Sequence, residues 1–221
     1  MYLRSSRLSL VLAAVALALP ASLVAQQAAP QAAPQAAPQQ APLPPHGWRF
    51  DTGHSAVTFR VRHLGISWVN GRFNTWNGSL VYDPANPTAA SVNVRIQTNS
   101  IDTESERRDN DIRSGNYLAV DSFPEMTFVS KKVEKVDDTH LKVTGDLTLR
   151  GVTREVVLAA EVTGTMPGER TRRIAFTATT TIDRMAYGVS FNRLTEGAQV
   201  VGSEIRITID IEATQPVAAA Q

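Results

Sequence analysis

The side chains able to do chemistry in this 221-residue chain are few and widely spaced. Cysteine is absent, which removes disulfides, thiolate metal sites, cysteine nucleophiles and a lipidated N-terminal cysteine. The 4 histidines are too few for a histidine-rich metal site. His54 and His63 would lie roughly 30 Å apart on an extended strand at ~3.3 Å per residue, so they cannot chelate one ion unless the strand folds back. Ser55 follows His54, the nearest approach to a nucleophile and base, but neighbouring strand residues point to opposite faces. Ser55, Ser67 and Ser190 also lack a G-x-S-x-G elbow, and no H-E-x-x-H, P-loop or G-x-G-x-x-G segment occurs. Arg108, Asp109, Asp111 and Arg113 form a mixed-sign cluster, with Asp109 and Arg113 at a favourable i, i+4 spacing if helical. The cluster reads either as a clamp or gate over an opening, or as a salt-bridged cap that shapes a loop. Asp183 and Arg184 read as the brace of a turn, and His46 and His140 as surface residues.

The elements that must position these groups are strands. Val57, Phe59 and Val61 alternate with Thr58, Arg60 and Arg62; Val92, Val94 and Ile96 alternate with Asn93, Arg95 and Gln97. Leu141, Val143, Leu147 and Leu149 share one parity, and Ile205, Ile207, Ile209 and Ile211 another. Such alternation means half-buried strands with one wet face, hence antiparallel pairing. Asn77-Gly78, Asp83-Pro84, Asp137-Asp138 and Pro167-Gly168 punctuate them as turns. About eight strands are expected, at 55–63, 69–82, 90–101, 126–136, 139–149, 153–164, 171–182 and 201–213. The second is long enough to need a bulge or bend near Asn77-Gly78. The charged stretch from Asp102 to Tyr117 breaks the pattern and predicts one or two helical turns, capped by Asp102 or Thr103, over an opening. On pattern alone the strands form either a filled sandwich or a closed barrel. Phe59, Phe73, Phe128 and Phe176 on the apolar parity favour a lined interior. Trp76 has the opposite parity to Phe73, so a regular strand cannot point both inward.

The first forty-five residues are of another kind. Arg4 and Arg7 precede an apolar run, Leu8 to Leu19, closed by Pro20 and followed by Ala21, Ser22 and Ala25. This is the three-part form of a secretory signal peptide cleaved after Ala25, with an uncleaved anchor as the alternative. Residues 26–45 repeat an AAPQ unit, and 7 of the chain's 12 prolines precede His46, so this stretch reads as an extended spacer. Residues 46–214 then make one domain and 215–221 a frayed tail. Loss of Arg4 and Arg7 with the leader moves the formal charge from +1 to −1, which gives no drive toward nucleic acid.

Several segments, in order, resemble the YceI-like family of periplasmic lipid- or polyisoprenoid-binding proteins. They are WRFDTGHSAVTFRVRHLGISWVNGRF, SIDTESERRDNDIRSGNYLAVDSFPEMTF, GDLTLRGVTREV, IDRMAYGVSF and the closing VGSEIRITIDIEA. The chain departs from the family's usual pattern at three places: Asp111 stands for a histidine, Arg150 for another, and Asn116-Tyr117-Leu118 for an aromatic pair. The resemblance implies an all-β, eight-stranded antiparallel lipocalin-like barrel with a short helical segment near 103–117. It implies a non-enzymatic periplasmic protein that sequesters or transports an amphipathic lipid, such as an isoprenoid quinone or a fatty-acid-type molecule, with no cofactor or metal. Ligand-lining positions are then Phe59, Val61, His63, Phe73, Trp76, Val94, Ile96, Tyr117, Phe123, Phe128, Phe176, Met185, Tyr187 and Phe191, with Arg108, Asp109 and Arg113 as a polar cap. Transient membrane contact and a homodimer remain open, as do two rival readings, a lipid-modifying enzyme and a secreted module with a filled core.

Overall fold

The computed structural model describes residues 41–217, so the expected leader and most of the expected spacer lie outside it. In chain order the elements are β1 (Gly47–Phe50), β2 (Ala56–His63), β3 (Ser67–Phe73), β4 (Trp76–Val81), β5 (Ser91–Gln97), β6 (Ile101–Asp102), α1 (Glu106–Arg113) and β7 (Glu125–Lys135). There follow β8 (His140–Leu149), β9 (Val152–Met166), β10 (Thr171–Asp183), a small hairpin of β11 (Leu194–Thr195) and β12 (Ala198–Gln199), and β13 (Val201–Pro216).

The alternating sequence closes on itself. β13 pairs with β10 along one edge and with β2 and then β1 along the other, and β1 pairs in turn with β4. From β4 the order runs through β5, β7, β8 and β9 back to β10, every pair antiparallel. Three of the eight staves are bent pairs of short strands: β1 with β2, β3 with β4, and β5 with β6. The result is a closed eight-stranded barrel, which resolves the choice between sandwich and barrel; closure satisfies backbone groups that an open edge would expose.

Most of the expected strands are present, with four differences besides the unexpected β11–β12 hairpin. β1 was missed because four residues are too few to show a period. The long second strand breaks at Asn74-Thr75, not at Asn77-Gly78. There the Asn74 amide donates to the Ser100 carbonyl and the Thr75 amide to the Ser100 hydroxyl. Gly78 instead lies inside β4, where a Cβ would overlap the Asn93 carbonyl of β5. The third is at the end of the chain, where β13 continues past Thr214, with Gln215 and Pro216 still paired to β10.

The fourth concerns the cap of α1. Its N-cap is Ser105, which makes no side-chain cap bond, so neither Asp102 nor Thr103 caps it. Asp109, only 5% exposed, reaches back from the first turns to accept hydrogen bonds from the amide and hydroxyl of Thr103. That use of its carboxylate displaces the expected Asp109–Arg113 pair. Arg113 donates to the carbonyls of Asn99 and Ile101, at 2.9 and 2.8 Å, and pins the helix to the start of β6.

Candidate functional site: an apolar lumen with a polar rim

The inward parity of the strands lines a cavity of about 460 Å³, inside the ~300–1,000 Å³ range of small-ligand sites. Its wall is nearly all carbon. β2 contributes Val57, Phe59 and Val61; β8 contributes Leu141, Val143, Leu147 and Leu149; β13 contributes Ile205, Ile207, Ile209 and Ile211. Gly145 interrupts the β8 series because a Cβ there would overlap the Phe128 ring, which crosses from β7. One end is plugged by aromatics. The Trp48 indole donates to the Tyr82 carbonyl at 2.8 Å, and Tyr82 meets Phe176 edge-to-face at 5.1 Å. Towards the other end the wall becomes polar, with His63, Thr103, Arg108, Asp111, Tyr117 and Arg184. Arg62, Arg108 and Asp111 are exposed there, so the cavity reaches the surface beside α1.

Of the positions expected from sequence, Phe59, Val61, His63, Phe73, Trp76, Val94, Ile96, Tyr117, Phe128, Phe176 and Arg108 line this one cavity. The break at Asn74-Thr75 is what lets Phe73 and Trp76 face inward together despite their opposite parity. Six positions do not line it. Phe123 packs against Gly151, outside the wall. Met185 lies in the 3-10 turn Arg184–Tyr187 and is 40% exposed. Tyr187 is buried in the packing behind the wall, and Phe191 stacks edge-to-face on Tyr117 at 5.5 Å. Asp109 and Arg113 serve the α1 attachments just described.

Asp111, one of the mixed-sign cluster expected over the opening, lines the cavity, whereas sequence reasoning misses Tyr82, Val189 and the isoleucines of β13 as lining residues. The isoleucines carried the signal, since their parity was read correctly; weighting the site toward aromatics left them out. Arg184 was read as a turn brace, and it is one, but it also faces the lumen. It is 3% exposed, and its guanidinium donates to four carbonyls: Gly202 at 2.9 Å, Phe191 and Val201 each at 3.1 Å, and Val189. Burial pulls its pKa down, with Tyr117 and Asp183 opposing the shift. Burial also pushes the Tyr117 phenol up, helped by the charge of Asp111. Arg150 ties the rim together by donating to the carbonyls of Tyr117, Gly188 and Gly115 at 2.8–2.9 Å.

The Ser55 hydroxyl donates to the Asp51 carbonyl at 2.7 Å and accepts from the Glu212 amide at 2.9 Å, while the His54 ring faces the Asp51 carboxylate at 3.1 Å. His54 therefore does not serve Ser55 as a base. Asp51, His54 and Glu212 bring their ligating atoms within 4.8 Å of one another, and Arg173 bonds both carboxylates of that group. One buried polar atom, the Tyr187 hydroxyl, has no hydrogen-bond partner among the described residues. Tyr187→Phe removes an unpaired hydroxyl from a site only 2% exposed. It is expected to leave stability unchanged or raise it by about 1 kcal/mol, read by urea denaturation.

A closed antiparallel barrel with an apolar lumen and a polar rim defines a lipocalin-like class of fold. Within that class the model of the YceI-like domain matches residues 48–213, and the chain belongs to this family. A UPF0312 protein of Shewanella sp. (strain ANA-3) is 42% identical over 142 residues, covering 63% of this chain and 73% of the relative. The crystal structure of the YceI protein of Campylobacter jejuni aligns at 32% identity with a TM-score of 0.61, covering 70% of this chain and 89% of that one. A polyisoprenoid binding domain from Saccharophagus degradans, implicated in plant cell wall breakdown, shares the fold at 14% identity, with a TM-score of 0.56 over 76% of this chain and 98% of that one.

Proposed function

We propose that this chain sequesters or carries an amphipathic lipid of the polyisoprenoid type in the periplasm, holding the tail in the lumen and the head group at the rim. The observation that carries the reading is the continuous apolar cavity between the aromatic plug and α1. Ten tail carbons buried there would contribute roughly 8 kcal/mol gross at ~0.8 kcal/mol per methylene, before ordering costs. A neutral hydrogen bond at the rim contributes only ~1 kcal/mol net. The wall therefore sets affinity, and the rim sets orientation and head-group preference. The family assignment and the solved polyisoprenoid binding domain of the same fold support the choice of tail. A binding role, not catalysis, fits a rim where Thr103, Arg108 and Arg184 are spent on structural hydrogen bonds. In this reading residues 1–25 are the export leader and 26–45 the spacer.

Native mass spectrometry of protein recovered from a periplasmic extract tests the proposal. The expected result is a chain lacking residues 1–25 that carries one non-covalent lipid mass, released into organic solvent. Protein that carries no lipid mass and takes up no added polyprenol would overturn the carrier reading.

A further inference from the structure

The polar end of the barrel carries a second feature, on its outer surface. Trp68 of β3 packs its ring against three guanidinium groups, those of Arg62 at 4.1 Å, Arg60 at 4.7 Å and Arg206 at 5.0 Å. Arg62 is paired with Trp68 across β2 and β3, and Arg60 with Arg206 across β2 and β13, so three neighbouring staves present one basic surface. Arg206 also bonds Glu204 at 2.8 Å; Arg60 and Arg62 form no ion pair among the described residues. The indole holds the side chains outward and spread while their charge stays exposed.

Two apolar tips project beside this surface. Ile66, in the turn between β2 and β3, is 80% exposed, and Leu194, on the β11–β12 hairpin, is 70% exposed. The two loops are tied together: the Leu64 amide donates to the Val200 carbonyl at 3.0 Å, and the Val200 amide to the Arg193 carbonyl at 2.9 Å. Arg62 also bonds the Ile66 carbonyl at 3.4 Å. Glu196 at the tip of the hairpin, Glu204 beside Arg206 and Asp111 at the mouth are the acids on the opposing side of the balance. Arg62, His63, Val200 and Val201, at the roots of these loops, line the lumen, so tips, basic surface and cavity opening share one end.

We propose that this end is a docking surface for an anionic phospholipid bilayer. Ile66 and Leu194 enter the acyl boundary, and Arg60, Arg62 and Arg206 meet the lipid phosphates. Exposed apolar tips next to clustered arginines match the two layers of a bilayer surface, carbon beneath anionic oxygen. Docked this way, the barrel mouth faces the membrane, and a lipid tail can pass into the lumen without crossing water. The inference rests on the carrier reading for its purpose, but its test is separable from it.

The test is co-sedimentation of periplasmically recovered protein with phosphatidylcholine vesicles, with and without phosphatidylglycerol, alongside uptake of a fluorescent fatty acid in vesicle-free buffer. Wild type is expected to partition onto the anionic vesicles, less so as salt rises. Arg60→Gln with Arg206→Gln should lower the partition about tenfold, at on the order of fivefold per arginine less the share already spent on Glu204. Ile66→Asp with Leu194→Asp should abolish it. None of these four positions lines the lumen, so fatty-acid uptake should persist in both variants. Equal sedimentation of wild type and the Ile66→Asp/Leu194→Asp variant would overturn the docking surface, as would wild type that takes up the fatty acid but ignores anionic vesicles. Wild type that binds the vesicles but takes up no fatty acid would uphold the surface and strike the carrier reading instead.

Discussion

Ala178→Phe is expected to weaken binding of a lipid tail a hundredfold or more while leaving the barrel folded. Ala178 is buried on β10, opposite Ala160 of β9 and Ile209 of β13, and it lines the lumen. A phenyl ring placed there occupies the space a tail would fill. Displacing four to six carbons removes about 3–5 kcal/mol at ~0.8 kcal/mol per methylene, and each 1.4 kcal/mol is about tenfold in Kd. The change puts carbon into a void, so the barrel should stay folded, with any strain from overpacking costing about 1–3 kcal/mol. Phe128→Asp should also abolish binding, by setting a carboxylate in the wall, but Phe128 is 8% exposed and part of the core, so folding suffers too. His63→Ala, at the rim, should cost about fivefold, the worth of one neutral hydrogen bond. Displacement of a fluorescent fatty acid, with urea melts on the same samples, separates the three. Wild-type affinity in Ala178→Phe would show that the tail lies elsewhere.

How far the sequence foretold this site depends on which signal one follows. Period two is a local property of the chain, and it correctly set the inward parity of β2, β5, β8 and β13. Closure is not local. It rests on β13 pairing with β2 and, through the four-residue β1, on the link from β13 to β4; the pattern left barrel and sandwich open, the aromatics favouring a lined interior, and the family resemblance pointed to the barrel. The Asn74-Thr75 break was unreadable for a related reason. Its cause is Ser100, 25 residues downstream, whose carbonyl and hydroxyl take the two amides. The polar groups fared worst. Asp109 and Arg113 have a favourable helical spacing, yet each finds a better partner off the helix. Arg150, where the family resemblance led one to expect a histidine, turns out to clamp the rim through three carbonyls. Backbone acceptors leave no mark in a sequence, so residues that bond to them cannot be assigned from residue type alone.

Arg184 is the sharpest case, and its removal should be the largest single loss of stability among the rim residues. Its four acceptors belong to two separate stretches: Val189 and Phe191 after the 3-10 turn, and Val201 and Gly202 at the start of β13. The guanidinium fork therefore holds the segment leading to the β11–β12 hairpin against the barrel end. Burying a charge is costly, and Met in its place would relieve that cost. The relief is smaller than the loss, because the carbonyls of Val189, Phe191 and Gly202 would lose this donor, Val201 alone keeping the Asn192 amide at 2.7 Å, and hydrogen bonds to a charged group contribute ~1.5–3 kcal/mol each. The net for Arg184→Met is expected to be about 4 kcal/mol of destabilisation, against the ~5–15 kcal/mol that holds a typical domain, and a Tm lower by about 10 °C. Arg184→Lys should recover less than half of this, since an ammonium has three donors on one atom and cannot span both stretches. Calorimetric melts of the two variants beside wild type give the answer. A lysine variant as stable as wild type would mean that charge alone, and not the fork, holds the rim.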